Sequence, residues 1–138
     1  VRELGAHIPT NTFVAEFIPH DVLLHEVDVM VTNGGYGAVQ RAVSAGVPLV
    51  VAGSTEGKPE VAARVAWSGA GLNLKTGTPT PAMIRDAVRE LLDDGEYLRR
   101  ARELEAAFAR RHGIAEIAAL VDEVVAERSA QRRPTRTP

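Results

Sequence analysis

The residues best suited to chemistry in this chain sit in one short run. Asn33, Gly34, Gly35, Tyr36 and Gly37 spell "NGGYG", between an apolar stretch and a helical one. Glycine weakens both a strand and a helix, so a cluster of it marks a sharp bend or a close backbone approach. A helix that opens there presents unpaired N–H groups and partial positive charge. With no Cβ atoms in the way, a phosphate can reach those groups. A phosphate or diphosphate site is therefore the mechanical reading, and a tight turn without a ligand is the alternative. Two familiar phosphate motifs fail. A dinucleotide fingerprint needs a third glycine where Gln40 stands, and a P-loop needs Lys-Ser/Thr where Val39 and Gln40 stand. The four histidines, His7, His20, His25 and His112, have no metal-ligand spacing, and cysteine is absent. No metal site or cofactor is expected.

The elements that must position this run alternate in type. "TFVAEFI", Thr12 to Ile18, is β-rich and stopped by Pro19, and reads as a short strand. "DVLLHEV" reads as one or two helical turns with Asp21 as its cap. "DVMVT", Asp28 to Thr32, reads as a buried strand, and "YGAVQRAVSAG" as a helix closed by Gly46. "VPLVVAG" is a second buried strand. A polar loop, "GSTEGKP", leads to a helix from about Pro59 to Ser68, with Trp67 packed on it. "AGLNLKTG" gives one more short strand. A helix capped by Thr80 follows, with Ile84, Val88, Leu91 and Leu92 as its apolar face. Tyr97, Ala101, Leu104 and Phe108 define another helix, and Ile114, Ile117, Ala118, Val121, Val124 and Val125 a last one. The strands are continuously apolar, as expected when both faces are covered. Strand–helix alternation gives an α/β fold with a parallel sheet.

With 138 residues, 45% apolar and 25% charged, the chain suits one soluble globular domain. Arg128, Arg132, Arg133 and Arg136 lie in the last eleven residues. Removing those four from the 16 Lys and Arg leaves 12 against 18 Asp and Glu, a net charge of −6. That acidic body argues against a nucleic-acid binder. The tail, 128–138, reads as disordered and basic. No apolar run reaches membrane-spanning length, and a cytoplasmic location is expected. The chain starts at Val1, in what reads as the middle of a structural unit. It is expected to be a fragment of a longer protein.

From Phe17 to Leu74 the sequence resembles the donor-binding signature of GT-B glycosyltransferases of family 1, the UDP-glycosyltransferase-like and macrolide-glycosyltransferase-like enzymes. The signature's aromatic-x-Pro-Gln is "FIPH" here, and its Leu-x-His falls in "LLHEVDVMVTNGG". Its His-x-Gly turn, helix, acidic residue and Gly-Val-Pro are "NGGYGAVQRAVSAGVP". Its acidic-Gln loop and Gly-x-Gly are "STEGKPEVAARVAWSGAGLNL". The resemblance implies a Rossmann-like sheet with flanking helices, the C-terminal half of a GT-B fold, with residues 1–127 as a partial donor-binding domain. It implies that Phe17 stacks on the nucleobase, the backbone of Ile18 bonds its edge, and His20 lies near the ribose. It puts Asn33 at the diphosphate, where the family has histidine, and Gly34, Gly35, Tyr36, Gly37 and Ala38 in the phosphate turn. Arg41 stands where a glutamate usually binds ribose, and Gln40 or another residue would substitute. Glu56, Gly57 and Lys58 occupy the loop of the sugar-binding acidic-Gln pair. His25 matches a histidine that packs.

The implied activity is transfer of a sugar from a UDP- or dTDP-type donor to a small-molecule acceptor hydroxyl, with N–H dipoles rather than a metal opposing the leaving charge. The general base and acceptor pocket would lie in an N-terminal domain, so no catalytic residue is assigned here. The implied sheet also lacks its first strands, and self-association of the isolated chain is expected. The alternative is a truncated, non-catalytic binding or interaction module, which Asn33, Arg41 and Gly57 favour. A dehydrogenase or epimerase is disfavoured by the failed glycine fingerprint.

Overall fold

The computed structural model describes residues 8–131. The chain divides into two compact units, one ending at Ala106 and the other beginning at Ala107. In the first unit, helix α1 (His20–Leu23) runs into a 3₁₀ turn (Leu24–Glu26). Strand β1 (Met30–Thr32), helix α2 (Tyr36–Ser44), strand β2 (Leu49–Val51), helix α3 (Lys58–Ser68) and strand β3 (Gly71–Asn73) follow. Helix α4 (Pro81–Asp93) comes next, then helix α5 (Gly95–Ala109), in which the boundary falls. The strands form a parallel sheet in the order β1-β2-β3, with Val31 opposite Val50 and Val50 opposite Leu72.

The central strand explains the continuous apolar run. Leu49, Val50 and Val51 are all fully buried. Because side chains alternate across a strand, Leu49 and Val51 enter one cluster with Val39, Ala42, Ala62 and Val65 of α2 and α3. Val50 enters the other, with Ala87 and Leu91 of α4. Tyr97 packs against that second cluster, and its hydroxyl donates to Glu90 Oε1 at 2.7 Å. That bond and burial push the phenol up to about 12. Helix α4 starts as its sequence requires. Thr80 Oγ1 accepts from the Met83 N–H at 3.3 Å, and Pro81 occupies the first turn.

Several expectations need correction. Thr12 to Ile18 is not a strand: Phe13 and Phe17 are 96% and 82% exposed, and no described strand lies alongside to complete a ladder. Asp21 does not cap α1. Pro19 holds the capping position, and Asp21 lies in the first turn. Trp67 does not pack. It is 90% exposed on the outer side of α3, while Ala62 and Val65 face the sheet. On α4, Ala87 joins Leu91 in the core while Leu92 is turned outward.

In the second unit, helix α6 (Gly113–Gln131) carries the predicted apolar positions, with Ile114, Ile117, Val121 and Val124 exposed. It continues through Arg128 to Gln131, where a disordered tail was expected to have begun. The remainder of that tail, residues 132–138, lies outside the described residues, as does His7. No helix among the described residues is long and apolar enough to cross a membrane.

Candidate functional site

Two groups of candidate residues, the glycine turn and the loop of Glu56 to Lys58, lie just after strands β1 and β2. After Thr32 the chain turns through Asn33 and Gly34 and enters α2 from Gly35. Gly34 has φ +82°, and a Cβ there would stand 2.8 Å from Val51 Cγ1. Glycine at 34 is thus fixed by the fold itself. Two short side chains hold the turn. Thr32 Oγ1 accepts from the Gly34 N–H at 3.3 Å, and Asn33 Oδ1 accepts from the Gly35 N–H at 3.2 Å. The Asn33 carboxamide therefore keeps its NH2 group free of the turn.

Next along the chain, the N–H groups of Tyr36, Gly37 and Ala38 have no partner among the described residues, since the first helical bond is from Val39 to Gly35 O. No side chain caps α2. A Cβ at Gly35 would meet only Asn33 Oδ1, at 3.6 Å, and one at Gly37 would meet nothing within 4 Å. Neither has positive φ. So Gly34 is glycine because the fold demands it, whereas no contact among the described residues requires glycine at 35 or 37. Tyr36 is exposed, and its hydroxyl accepts from Gln40 Nε2 at 2.9 Å. That bond engages the residue proposed from sequence as a substitute at the ribose.

The loop after β2 closes on this turn. A Cβ at Gly53 would fall 2.0 Å from Asn33 O and 3.0 Å from Lys58 Cβ. Lys58 Cβ is also 3.7 Å from the Cβ position of Gly34. Lys58 is thereby brought beside Gly34, and Glu56 is tied to Lys58. Glu56 adopts φ +56°, a backbone region that few residues other than glycine occupy. Lys58 Nζ donates to Glu56 Oε2 at 2.7 Å and to Thr55 Oγ1 at 3.2 Å, which holds the Glu56 carboxyl below its ordinary range. The loop after β3 joins too: Ser54 Oγ is 2.2 Å from the Cβ position of Gly77. Sequence reasoning passed over Gly53 and Gly77. Their signal was a glycine placed shortly after each strand.

His20 and Arg41 meet elsewhere, in a cleft between α1 and α2 that Asp21, His25 and Ser44 also line. Arg41 Nε lies 3.8 Å from Asp21 Oδ1, both side chains being exposed. His25 is exposed at this cleft rather than packed in the core. Phe17 and Ile18 precede α1 on exposed, unpaired backbone, so Phe17 is not a core residue. Among the described residues, no group of three or more His, Asp or Glu is placed to hold a metal.

Residues 1–133 match the family described as "Erythromycin biosynthesis protein CIII-like, C-terminal domain". The chain belongs to this family. It is 47% identical over 119 residues to UDP-glycosyltransferase 2 of Phaeomoniella chlamydospora, covering 86% of this chain and 26% of that protein. It is 48% identical over 118 residues to 4'-demethylrebeccamycin synthase of Lentzea aerocolonigenes, covering 86% of this chain and 28% of that protein. Among solved structures it is similar to glycosyltransferase VinC in complex with dTDP, with a TM-score of 0.81 and 25% identity, covering 91% of this chain and 32% of that one. The glycotransferase of kitacinnamycin gives 0.76 and 31% identity, over 86% and 30%. The three-stranded parallel sheet and its helices match the Rossmann-like C-terminal half of these GT-B structures. The chain spans between a quarter and a third of the length of these relatives.

Proposed function

We propose that this EryCIII-like domain binds the nucleoside diphosphate part of a sugar donor, UDP- or dTDP-linked, within a glycosyltransferase acting on a small-molecule hydroxyl. The observation that carries the reading is the start of α2. Three adjacent N–H groups lack partners among the described residues, and a Cβ at either Gly35 or Gly37 would meet little there. An anion held there meets aimed dipoles that need no reorganisation as charge develops on the leaving diphosphate. The donor chemistry then needs no metal at this point. Asn33 donates through its free NH2 group, His20 and Arg41 face the ribose, and Phe17 stacks on the base. The acceptor and the general base belong to parts of the enzyme beyond this chain, which alone does not transfer sugar and self-associates. The complete enzyme works in the cytoplasm.

Calorimetry of the full-length protein against UDP, dTDP and GDP tests this. Binding of one of the first two is expected, with transfer of sugar from the matching donor. A full-length protein that binds none of the three is a non-catalytic module instead.

A further inference from the structure

The diphosphate turn lacks a charged side chain of its own. Asn33 is neutral, and its Oδ1 is already engaged by the Gly35 N–H. The start of α2 supplies only about half a positive charge, against a ligand that carries at least two negative ones. Arg41 is further along α2 and pairs with Asp21. Lys58 is better placed. Its Cβ packs beside the Cβ positions of both Gly53 and Gly34, so the side chain is rooted against the turn. It is also mostly buried, 21% exposed, whereas its partner Glu56 is 80% exposed.

We propose that Lys58 is the cation that neutralises the donor's diphosphate, and that Glu56 is the stand-in anion that holds it until the donor arrives. This rests on the donor-binding reading above. The Lys58–Glu56 bond joins the first residue of α3 to one two positions before it, with one partner in solvent, so it is cheap to exchange. A diphosphate offers more charge and more acceptor oxygens than one carboxylate. Lysine suits the exchange because its ammonium is a point charge on a flexible four-carbon stem. On this proposal its Nζ exchanges Glu56 Oε2 for a phosphate oxygen. Glu56 is held in the left-handed region, where its carboxylate meets Lys58 Nζ at 2.7 Å.

The test is calorimetry of the full-length protein with UDP and dTDP, and with uridine and thymidine, for the unaltered protein, Lys58→Met, Glu56→Gln and the double variant. Lys58→Met should weaken the diphosphate by about tenfold or more and leave the nucleoside within about twofold. Glu56→Gln keeps the loop's shape and removes the competing charge. It should strengthen diphosphate binding, and that gain should vanish in the double variant. Equal diphosphate affinity in Lys58→Met, or an equal loss of nucleoside and diphosphate, overturns the proposal while leaving the donor site standing. If Lys58→Met does not fold, unchanged affinity in Glu56→Gln overturns it alone. An unaltered protein that binds no diphosphate removes the donor reading and this proposal together.

Discussion

Two apolar runs of this chain have almost the same local character and opposite fates. "TFVAEFI" and "VPLVV" are both rich in residues that favour strands, β-branched in both and aromatic in the first. The second becomes the central strand, with Leu49, Val50 and Val51 fully buried. The first forms no strand, and its two phenylalanines are among the most exposed side chains described. The difference is neighbours. β2 has β1 and β3 on its two edges and helices on both faces. The earlier run has no described strand beside it. Strand propensity measures how well a side chain fits a half-buried pleated surface, so it has no force where that surface is missing.

The sharpest way to test the contrast is at its core end. Leu49→Ala removes a fully buried side chain between α2, α3 and the sheet. It should cost about 2–5 kcal/mol, read by denaturant unfolding of the full-length protein. A loss below about 1 kcal/mol would show that β2 is not the centre of the fold.

A second contrast lies within the glycines. Gly53→Ala forces a Cβ to within 2.0 Å of the Asn33 carbonyl oxygen, where backbone must give way. A loss of about 1–3 kcal/mol is expected, together with weaker nucleotide binding as the turn shifts. A Cβ at Gly35 meets only Asn33 Oδ1, at 3.6 Å, and the position needs no unusual φ, so Gly35→Val is accommodated far more easily. It should therefore leave the melting temperature within a few degrees, about the shift of 1 kcal/mol or less, while weakening diphosphate binding by about tenfold or more. Calorimetry beside thermal melting separates the two glycines. If Gly35→Val melts as badly as Gly53→Ala, the open space over the turn is structural rather than functional.

Much of this arrangement was legible because its signals are local. Glycines between an apolar run and a helical run mark a strand-to-helix turn whatever surrounds them. "VPLVVAG" is apolar at every position because both faces are covered. Thr80 followed by Pro81 caps α4 as such a pair should. What could not be read depends on distant parts of the chain. Trp67 lies on a helix whose other apolar residues, Ala62 and Val65, do face the sheet, and its rotation around the helix decides its exposure. The contact of Gly53 with Asn33 joins two loops twenty residues apart in sequence. Gln40, which the resemblance offers at the ribose, donates from Nε2 to the Tyr36 hydroxyl, a contact across one helical turn that its place in the signature does not reveal. The run from Thr12 to Ile18 misleads for the same reason, since pairing is a property of the sheet and not of the strand.

Phe17 carries the smallest stability effect and decides what the exposed run is for. A buried phenylalanine truncated to alanine costs about 3–5 kcal/mol. At 82% exposure Phe17 has little apolar contact to lose, so Phe17→Ala should change stability by no more than about 0.5 kcal/mol. An aromatic face left in water has a use when a flat ring can stack on it, an interaction of about 1–3 kcal/mol for a nucleobase. The same variant should then weaken free uridine or thymidine as much as the full diphosphate, because stacking does not depend on the phosphates. Lys58→Met should show the opposite pattern, sparing the nucleoside. Measured together, the two variants divide the donor between the exposed run and the glycine turn. Normal nucleoside affinity in Phe17→Ala with full stability would remove Phe17 from the site and leave base recognition to some other residue of the full-length protein.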